Sequence, residues 1–305
     1  MREGQARRVW LRVDGVLLLD KPQGMSSNAA LQAARRLYSA AKAGHTGTLD
    51  PLATGLLPLC FGEATKFSSD LLDADKTYEA DLLFGVKTDT ADSEGQVLER
   101  RPVNFDLSAL EVALARFRGK IRQIPPMYSA LKRDGQPLYK LARQGVQIER
   151  EARDVVIHEL ELLEFHADRC RLRVRCSKGT YIRSLAEDLG EVLLCGAHLT
   201  GLRRTAVGAL SVNGACSLET LTMLDEAGRA RVLRAPDALL QELPRIVLAQ
   251  GEAARFAHGN PVGFPVGLSF EQAGRFRVYE GERLLGVAVA DGGGMLCPRR
   301  LVAAG

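Results

Sequence analysis

The sequence predicts an α+β protein built around a mixed, mostly antiparallel sheet, with a small β module at its C-terminal end. Three observations carry that expectation. Helix-period and strand-period segments are interspersed along the chain as far as Pro244. The strands alternate apolar and polar residues instead of being apolar throughout, as in a sheet with one face turned to solvent or ligand. Beyond Pro244 the composition shifts to Gly, Pro and short strand-like pieces.

The elements follow in order. Gly15–Leu19 is a short apolar strand, and Lys21-Pro22-Gln23-Gly24 is turn chemistry. Ser26 or Ser27 is placed to cap a helix with Leu31, Ala34, Leu37 and Tyr38 at helical spacing. Gly44–Gly62 carries Gly, Thr or Pro every few residues and reads as an ordered loop. Ordered loops are where chemistry tends to sit. From Thr77 the period becomes two: Tyr78, Ala80, Leu82, Phe84 and Val86 share one face, with Glu79, Asp81 and Lys87 on the other. A turn at Ser93-Glu94-Gly95 and an amphipathic helix over Leu107–Phe117 follow. In the strand CRLRVRC, Leu172 and Val174 face inward while Arg171, Arg173 and Arg175 line the opposite face. Ser177-Lys178-Gly179 turns the chain. Thr180 is then placed to cap a helix with Ile182, Leu185, Ala186, Leu189, Val192 and Leu193 inward. Strands are expected at Arg275–Tyr279 and Leu284–Val289, within a module of about 60 residues, a size at which many domains fold alone. With 305 residues, two domains are expected, 1–243 and 244–305.

The bulk composition excludes some classes. Apolar residues make up 46% of the chain and charged residues 26%, the balance of a soluble globular protein. No stretch approaches bilayer length, and MREGQARRVWLRVDG lacks the apolar core of a secretory signal, so a cytoplasmic protein is expected. Six scattered cysteines form no CxxC pair and have no His at metal-ligand spacing, which reads as buried thiols and no structural metal. The net charge of +4 says little, but Arg116–Arg204 holds 18 Lys and Arg against 11 Asp and Glu. That basic middle is either a polyanion-binding face or a solvated surface. Arg171, Arg173 and Arg175, followed by Lys178 and Arg183, pose the same choice between a phosphate track and a solvated strand face.

Asp50 sits in Gly47-Thr48-Leu49-Asp50-Pro51. Asp-Pro alone is a common turn opener. Here it has His45 five residues earlier, several glycines, and hydroxyls able to hold a loop open around a ligand. A carboxylate nucleophile must be ionised, fixed and usually paired with a cation, and Arg183 is the candidate. Tyr78 and Tyr181 lie near Lys76 and Lys178. Each reads either as core or as an aromatic able to cover an extruded RNA base.

The strings GVLLLDKPQGMSSN, AGHTGTLDPLATGLLPLCFGEATK, KTYEADLLFGVKTDTADSEG, IPPMYSALKRDGQPLYKLARQG and CSKGTYIRSLAEDLG closely resemble the TruB-type tRNA pseudouridine-55 synthases of the bacterial stand-alone type. They occur in the family's order from Gly15 to Leu202, whereas Met1–Asp14 and Thr220–Leu243 match no motif of it. The resemblance implies the pseudouridine synthase fold followed by a PUA-type RNA-binding domain. It implies isomerisation of uridine 55 in the TΨC loop after base flipping, with Asp50 as nucleophile. His45, Tyr78, Tyr181 and Leu202 then occupy the uridine-site positions, and Arg183 that of the arginine paired with the aspartate. Lys21 and Pro22 fall in the loop bracing the catalytic region. The implied partner is the T-arm of tRNA, and the expected protein is a monomer without cofactor, metal or protein partner. Three alternatives stay open at this stage: an RNA chaperone on the same scaffold, a guide-RNA-dependent relative, and a methyltransferase. The last lacks a glycine-rich cofactor loop.

Overall fold

The computed structural model describes residues 9–264 and 274–303. The first eight residues, the Pro265-Val266-Gly267 end of the GNPVGFPVG run and the last two residues lie outside that description.

Strand β1 (Gly15–Lys21) is buried along nearly its whole length. It leads through the Lys21–Gly24 turn into helix α1 (Ser27–Leu37), whose N-cap is Ser26, accepting from the Ala29 N–H. Of the two serines expected to cap, Ser26 does so and Ser27 points inward. The Gly44–Gly62 loop is only half a loop. It contains β2 (Ala43–His45) and β3 (Thr54–Phe61), leaving Thr46–Ala53 irregular. TGLLPLCF is buried on both faces, so it lacks the alternation that announces a half-exposed strand. Pro58 falls between the part of β3 that pairs with β2 and the part that pairs with β12, described below, where a missing N–H is tolerated. Gly55 has φ +97°, and a Cβ there would lie 2.3 Å from the Arg204 carbonyl oxygen.

A 3-10 turn (Gly62–Phe67) and α2 (Ser68–Asp73) lead into β4 (Lys76–Phe84), which shows the expected alternation. Gly85 ends β4, so Val86 belongs to a separate hairpin, β5 (Val86–Thr88) with β6 (Val97–Arg100). Next come α3 (Leu107–Ala115), β7 (Gly119–Gln123), the short pair β8 (Lys132–Arg133) and β9 (Gln136–Pro137), and α4 (Leu138–Arg143). The hairpin β10 (Arg153–His166) and β11 (Arg169–Cys176) precedes α5 (Ile182–Val192) and β12 (Ala197–Val207). Thr180 does not cap α5: its hydroxyl donates to the Ser177 carbonyl, and the N-cap position is Tyr181, without a side-chain bond. The backbone of Tyr181 is instead held by the buried Gln123 amide, donating at 3.0 Å and accepting at 2.8 Å.

Apart from the separate pairs β5–β6 and β8–β9, these strands form a ten-stranded sheet with β13 (Leu210–Ser211) and β14 (Cys216–Ser217). Its main order is β14-β1-β3-β12-β4-β11-β10-β7. Only β1–β14 and β3–β12 pair in parallel, which is the mixed, mostly antiparallel sheet expected. One core lies between this sheet and α3 and α5; a second lies under α1. The motif-free Thr220–Leu243 stretch is packed in. Helices α6 (Leu218–Met223) and α7 (Glu226–Val232) close over α1, with Arg229 donating to the Leu37 carbonyl, and Arg234 exchanges backbone bonds with Val16. Strands β15 (Arg245–Val247), β16 (Val262–Gly263), β17 (Arg275–Glu280), β18 (Arg283–Ala290) and β19 (Met295–Leu301) form a second, five-stranded sheet around α8 (Gln250–Ala257). All six cysteines are free, and four of them are buried. Among the described residues no helix is long and apolar enough to cross a membrane.

Candidate active site

Asp50 lies in the irregular segment between β2 and β3, and its neighbours are pinned from behind. The Ser27 hydroxyl accepts from the Leu49 N–H at 2.7 Å and donates to the Leu49 carbonyl at 2.9 Å. Lys21 is fully buried, and its ammonium donates to the carbonyls of Pro22 and Met25 at 2.8 and 2.7 Å, with that of Pro51 at 3.5 Å. Gly24 N–H also donates to the Pro51 carbonyl. Burial of Lys21 pulls its pKa down to about 8, against the opposing pull of Asp50. Lys21 thus sits behind the loop and reaches its backbone at Pro51, whereas Pro22 is exposed and is tied in only through its carbonyl on the Lys21 ammonium.

The partner of Asp50 is Arg183, from the first turn of α5, at 2.9 Å. Arg183 is only 5% exposed and is over-determined. It donates to the carbonyls of Thr90 (3.1 Å) and Tyr128 (2.6 Å) and lies 3.7 Å from the Asp92 carboxylate. Asp92 is in turn fixed by the Thr90 hydroxyl and the Glu94 N–H. Asp50 is 40% exposed, and the exposed part opens into a cavity. Burial therefore pushes its carboxyl above the usual range. Arg183 opposes that push and Asp92 adds to it. A desolvated carboxylate beside one fixed guanidinium is the arrangement that a carboxylate nucleophile needs.

Two cavities meet at this ion pair. The first, about 320 Å³, is lined by Asp50, Tyr78, Tyr181, Arg183, Leu202 and Arg204. Its size falls at the low end of small-molecule sites. The second, about 620 Å³, shares Asp50 and Arg183 and adds His45, Thr90, Tyr139 and Arg143. The structure therefore gathers five of the predicted residues around one cavity and places His45 on the next. Burial lowers the His45 pKa, against the opposing pull of the Gly47 carbonyl, and so favours the neutral ring. Burial raises the Tyr78 phenol, with Arg204 opposing, so no phenolate is poised there in the free protein.

Sequence reasoning passed over Arg204, Asp92 and Gln123, and took Lys76 only as a basic neighbour of Tyr78. Arg203 and Arg204 look alike in sequence, yet Arg203 turns out to a bidentate pair with Asp20 at 3.0 and 2.7 Å. Arg204 is 1% exposed, donates to the Leu56 carbonyl, and keeps its Nη2 without a partner. Strand parity with Leu202 was the available signal. The sequence left two readings open for the basic face of β11, and in the structure its arginines are paired. Arg171 pairs with Asp81 and Glu164, Arg173 with Glu161 and Glu79, and Arg175 with Glu159 and Asp75. These arginines form a neutralised cross-strand ladder instead of an open phosphate track.

Comparison with known proteins gives the family. Residues 35–182 match the TruB family pseudouridylate synthase N-terminal domain, residues 183–247 the tRNA pseudouridylate synthase B C-terminal domain, and residues 244–302 the pseudouridine synthase II TruB C-terminal region. The chain is 60% identical over 298 residues to tRNA pseudouridine synthase B of Dechloromonas aromatica, covering 98% of both. It is 57% identical to the protein of that name in Burkholderia lata, covering 95% of this chain and 90% of that one. A chain in the crystal structure of a Cbf5-Nop10-Gar1 complex superimposes with a TM-score of 0.70 at 25% identity, covering 90% of this chain and 78% of that one. An archaeal box H/ACA Nop10-Cbf5 complex shares the fold, with a TM-score of 0.70 at 23% identity, 94% of this chain and 85% of that one being covered. Built on that fold, with family matches running from residue 35 to residue 302, the chain belongs to the TruB family of pseudouridylate synthases.

Proposed function

We propose that this protein isomerises uridine 55 of the tRNA TΨC loop to pseudouridine, with Asp50 as nucleophile. The observation that carries the reading is the Asp50–Arg183 pair, 2.9 Å apart, in the wall of a cavity that Tyr78, Tyr181 and Leu202 also line. The names of the similar proteins, tRNA pseudouridine synthase B, support tRNA as the substrate.

The target base is stacked in the folded T-loop and must be flipped out, at a cost of a few kcal/mol. His45, on the cavity beside Asp50, takes part of the vacated stack. The N1–C1′ bond breaks, the uracil turns between Tyr78 and its apolar neighbours, and C5 joins C1′. The C5 hydrogen leaves as a proton and N1 takes one up, so the product is an isomer and no redox change occurs. Attack at C1′, addition at C6 and elimination toward a glycal all require an ionised Asp50. Arg183 and Asp92 hold its geometry, and Lys21 with Pro22 brace the backbone behind it.

In this reading the catalytic domain is 1–243 and the module 244–305 adds affinity for the tRNA body. The protein works in the cytoplasm as a monomer without a protein partner. The test follows from the proton balance. A T-arm stem-loop carrying tritium at uridine C5 should lose label to water with the wild-type protein and keep it with Asp50→Asn. Retention of label with wild type, or equal release by the variant, overturns the assignment.

A further inference from the structure

The C-terminal sheet touches the segment that ends at the uridine cavity. Val287 of β18 is 1% exposed and joins the apolar cluster that holds Phe67 and Leu71. Around it, Lys66 donates to the Leu301 carbonyl at 2.9 Å and Arg300 donates to the Lys66 carbonyl at 2.7 Å. The Ala303 N–H donates to Glu63. On α2 itself, Asp70 pairs with Arg275, the first residue of β17, and its side chain is only 11% exposed.

The other end of α2 belongs to the site. Leu72 lines the uridine cavity. The carbonyls of Leu71, Leu72 and Ala74 are all taken by one ammonium, that of Lys76, at 3.2, 2.7 and 2.5 Å. Lys76 also lines the cavity and stands two residues before Tyr78 on β4. Asp73 pairs at 2.7 Å with Lys178, in the turn that precedes Tyr181. An ammonium has three donors and here all three go to this helix end. A shift of α2 would strip a buried cation of its acceptors, which is costly enough to tie helix and strand together.

We propose that Arg275 and Asp70 are positioning residues for the isomerisation. The C-terminal module fixes α2, and α2, through Lys76 and Leu72, sets the cavity wall beside Tyr78. The inference rests on the uridine reading above and deepens it, giving the module a part in turnover besides affinity.

The experiment measures single-turnover tritium release from a T-arm stem-loop at saturating protein, together with the Kd for the same RNA. Arg275→Ala and Asp70→Asn should each lower the saturating rate on the order of tenfold, since small misplacements of reacting groups are costly. The Kd should stay within about threefold, because phosphate contacts elsewhere supply most binding. Arg275→Lys and the exchange of Asp70→Arg with Arg275→Asp should recover the rate. Asp70→Asn is the milder change and carries the comparison if Arg275→Ala melts early. Saturating rates equal to wild type, or a loss confined to Kd, overturn the positioning role alone. A wild-type protein that releases no tritium defeats both this inference and the uridine reading.

Discussion

Replacing Arg183 by Met removes the one guanidinium that faces both Asp50 and Asp92. Arg183 is almost wholly buried and also serves the carbonyls of Thr90 and Tyr128. Breaking a buried pair by deleting one partner costs about 3–5 kcal/mol. Asp50 opens onto the cavities and can turn to water, which reduces its share. Asp92, 4% exposed, cannot. Each buried carbonyl left without its donor adds about 1–3 kcal/mol, so the lost stability should reach at least about 3 kcal/mol near neutral pH. The sign of the pH dependence follows from Asp50. Its carboxyl already lies above the ordinary 3.8 through burial, and Arg183 is the strongest opposing influence, so the variant raises it further. A carboxyl with a raised folded pKa binds more protons folded than unfolded, so stability falls as pH rises through that window. The deficit of Arg183→Met is therefore full above the folded pKa and shrinks as pH falls toward 4. Urea unfolding of both proteins near neutrality and near pH 5 reads this directly. A deficit under about 1 kcal/mol, or one that grows on acidification, refutes the reasoning.

Other consequences are separately checkable. Asp92→Asn removes an influence that raises Asp50, so the acid limb of the single-turnover rate should move to lower pH, with a lower plateau because Arg183 loses a neighbour; an upward shift would contradict the network. Lys21→Met should cut turnover by at least about tenfold by loosening the backbone at Pro51. Because Lys21 has a folded pKa of about 8, below its unfolded value, wild-type stability should gain on this variant as pH rises from about 8 toward about 10. Thermal melts across that range show whether it does. Arg173→Glu should leave the salt dependence of RNA binding unchanged, because Arg173 is already paired with Glu161 and Glu79; a slope flattened by about 0.7–0.9 would return β11 to the RNA path.

What the sequence shows of this fold depends on how each element is buried. Strand β4 and the inward Leu172 and Val174 are plain because one face is apolar and the other is not. Strand β3 is hidden because both faces are buried, so its apolar run has no period, and Gly55 and Pro58 imitate a loop. Spacing places Arg171, Arg173 and Arg175 on one face. It cannot supply their register against Glu159, Glu161 and Glu164, and that pairing decides whether the face is basic. The Thr180 cap fails for a similar reason, since Gln123 from β7 holds the start of α5. Asp50, Tyr78, Tyr181, Arg183 and Leu202 come from distant segments, and no local pattern joins them. Their grouping in the sequence rested on family resemblance. Arg204 and Asp92 escaped, and the burial of Lys76 was not foreseen, because a buried charge reads like a surface one until its acceptors are known.

Under the proposed function, Asp50, held by Arg183, isomerises uridine at one place in tRNA. Mapping pseudouridine in an unmodified tRNA transcript, incubated with wild type and with Asp50→Asn, tests it most directly. One new pseudouridine, at position 55 of the T-loop, should appear with wild type. None should appear with the variant, whose Kd for the transcript stays within about tenfold because phosphate contacts supply most of the binding. An unmodified transcript after wild-type treatment, pseudouridine elsewhere alone, or undiminished conversion by Asp50→Asn would contradict it.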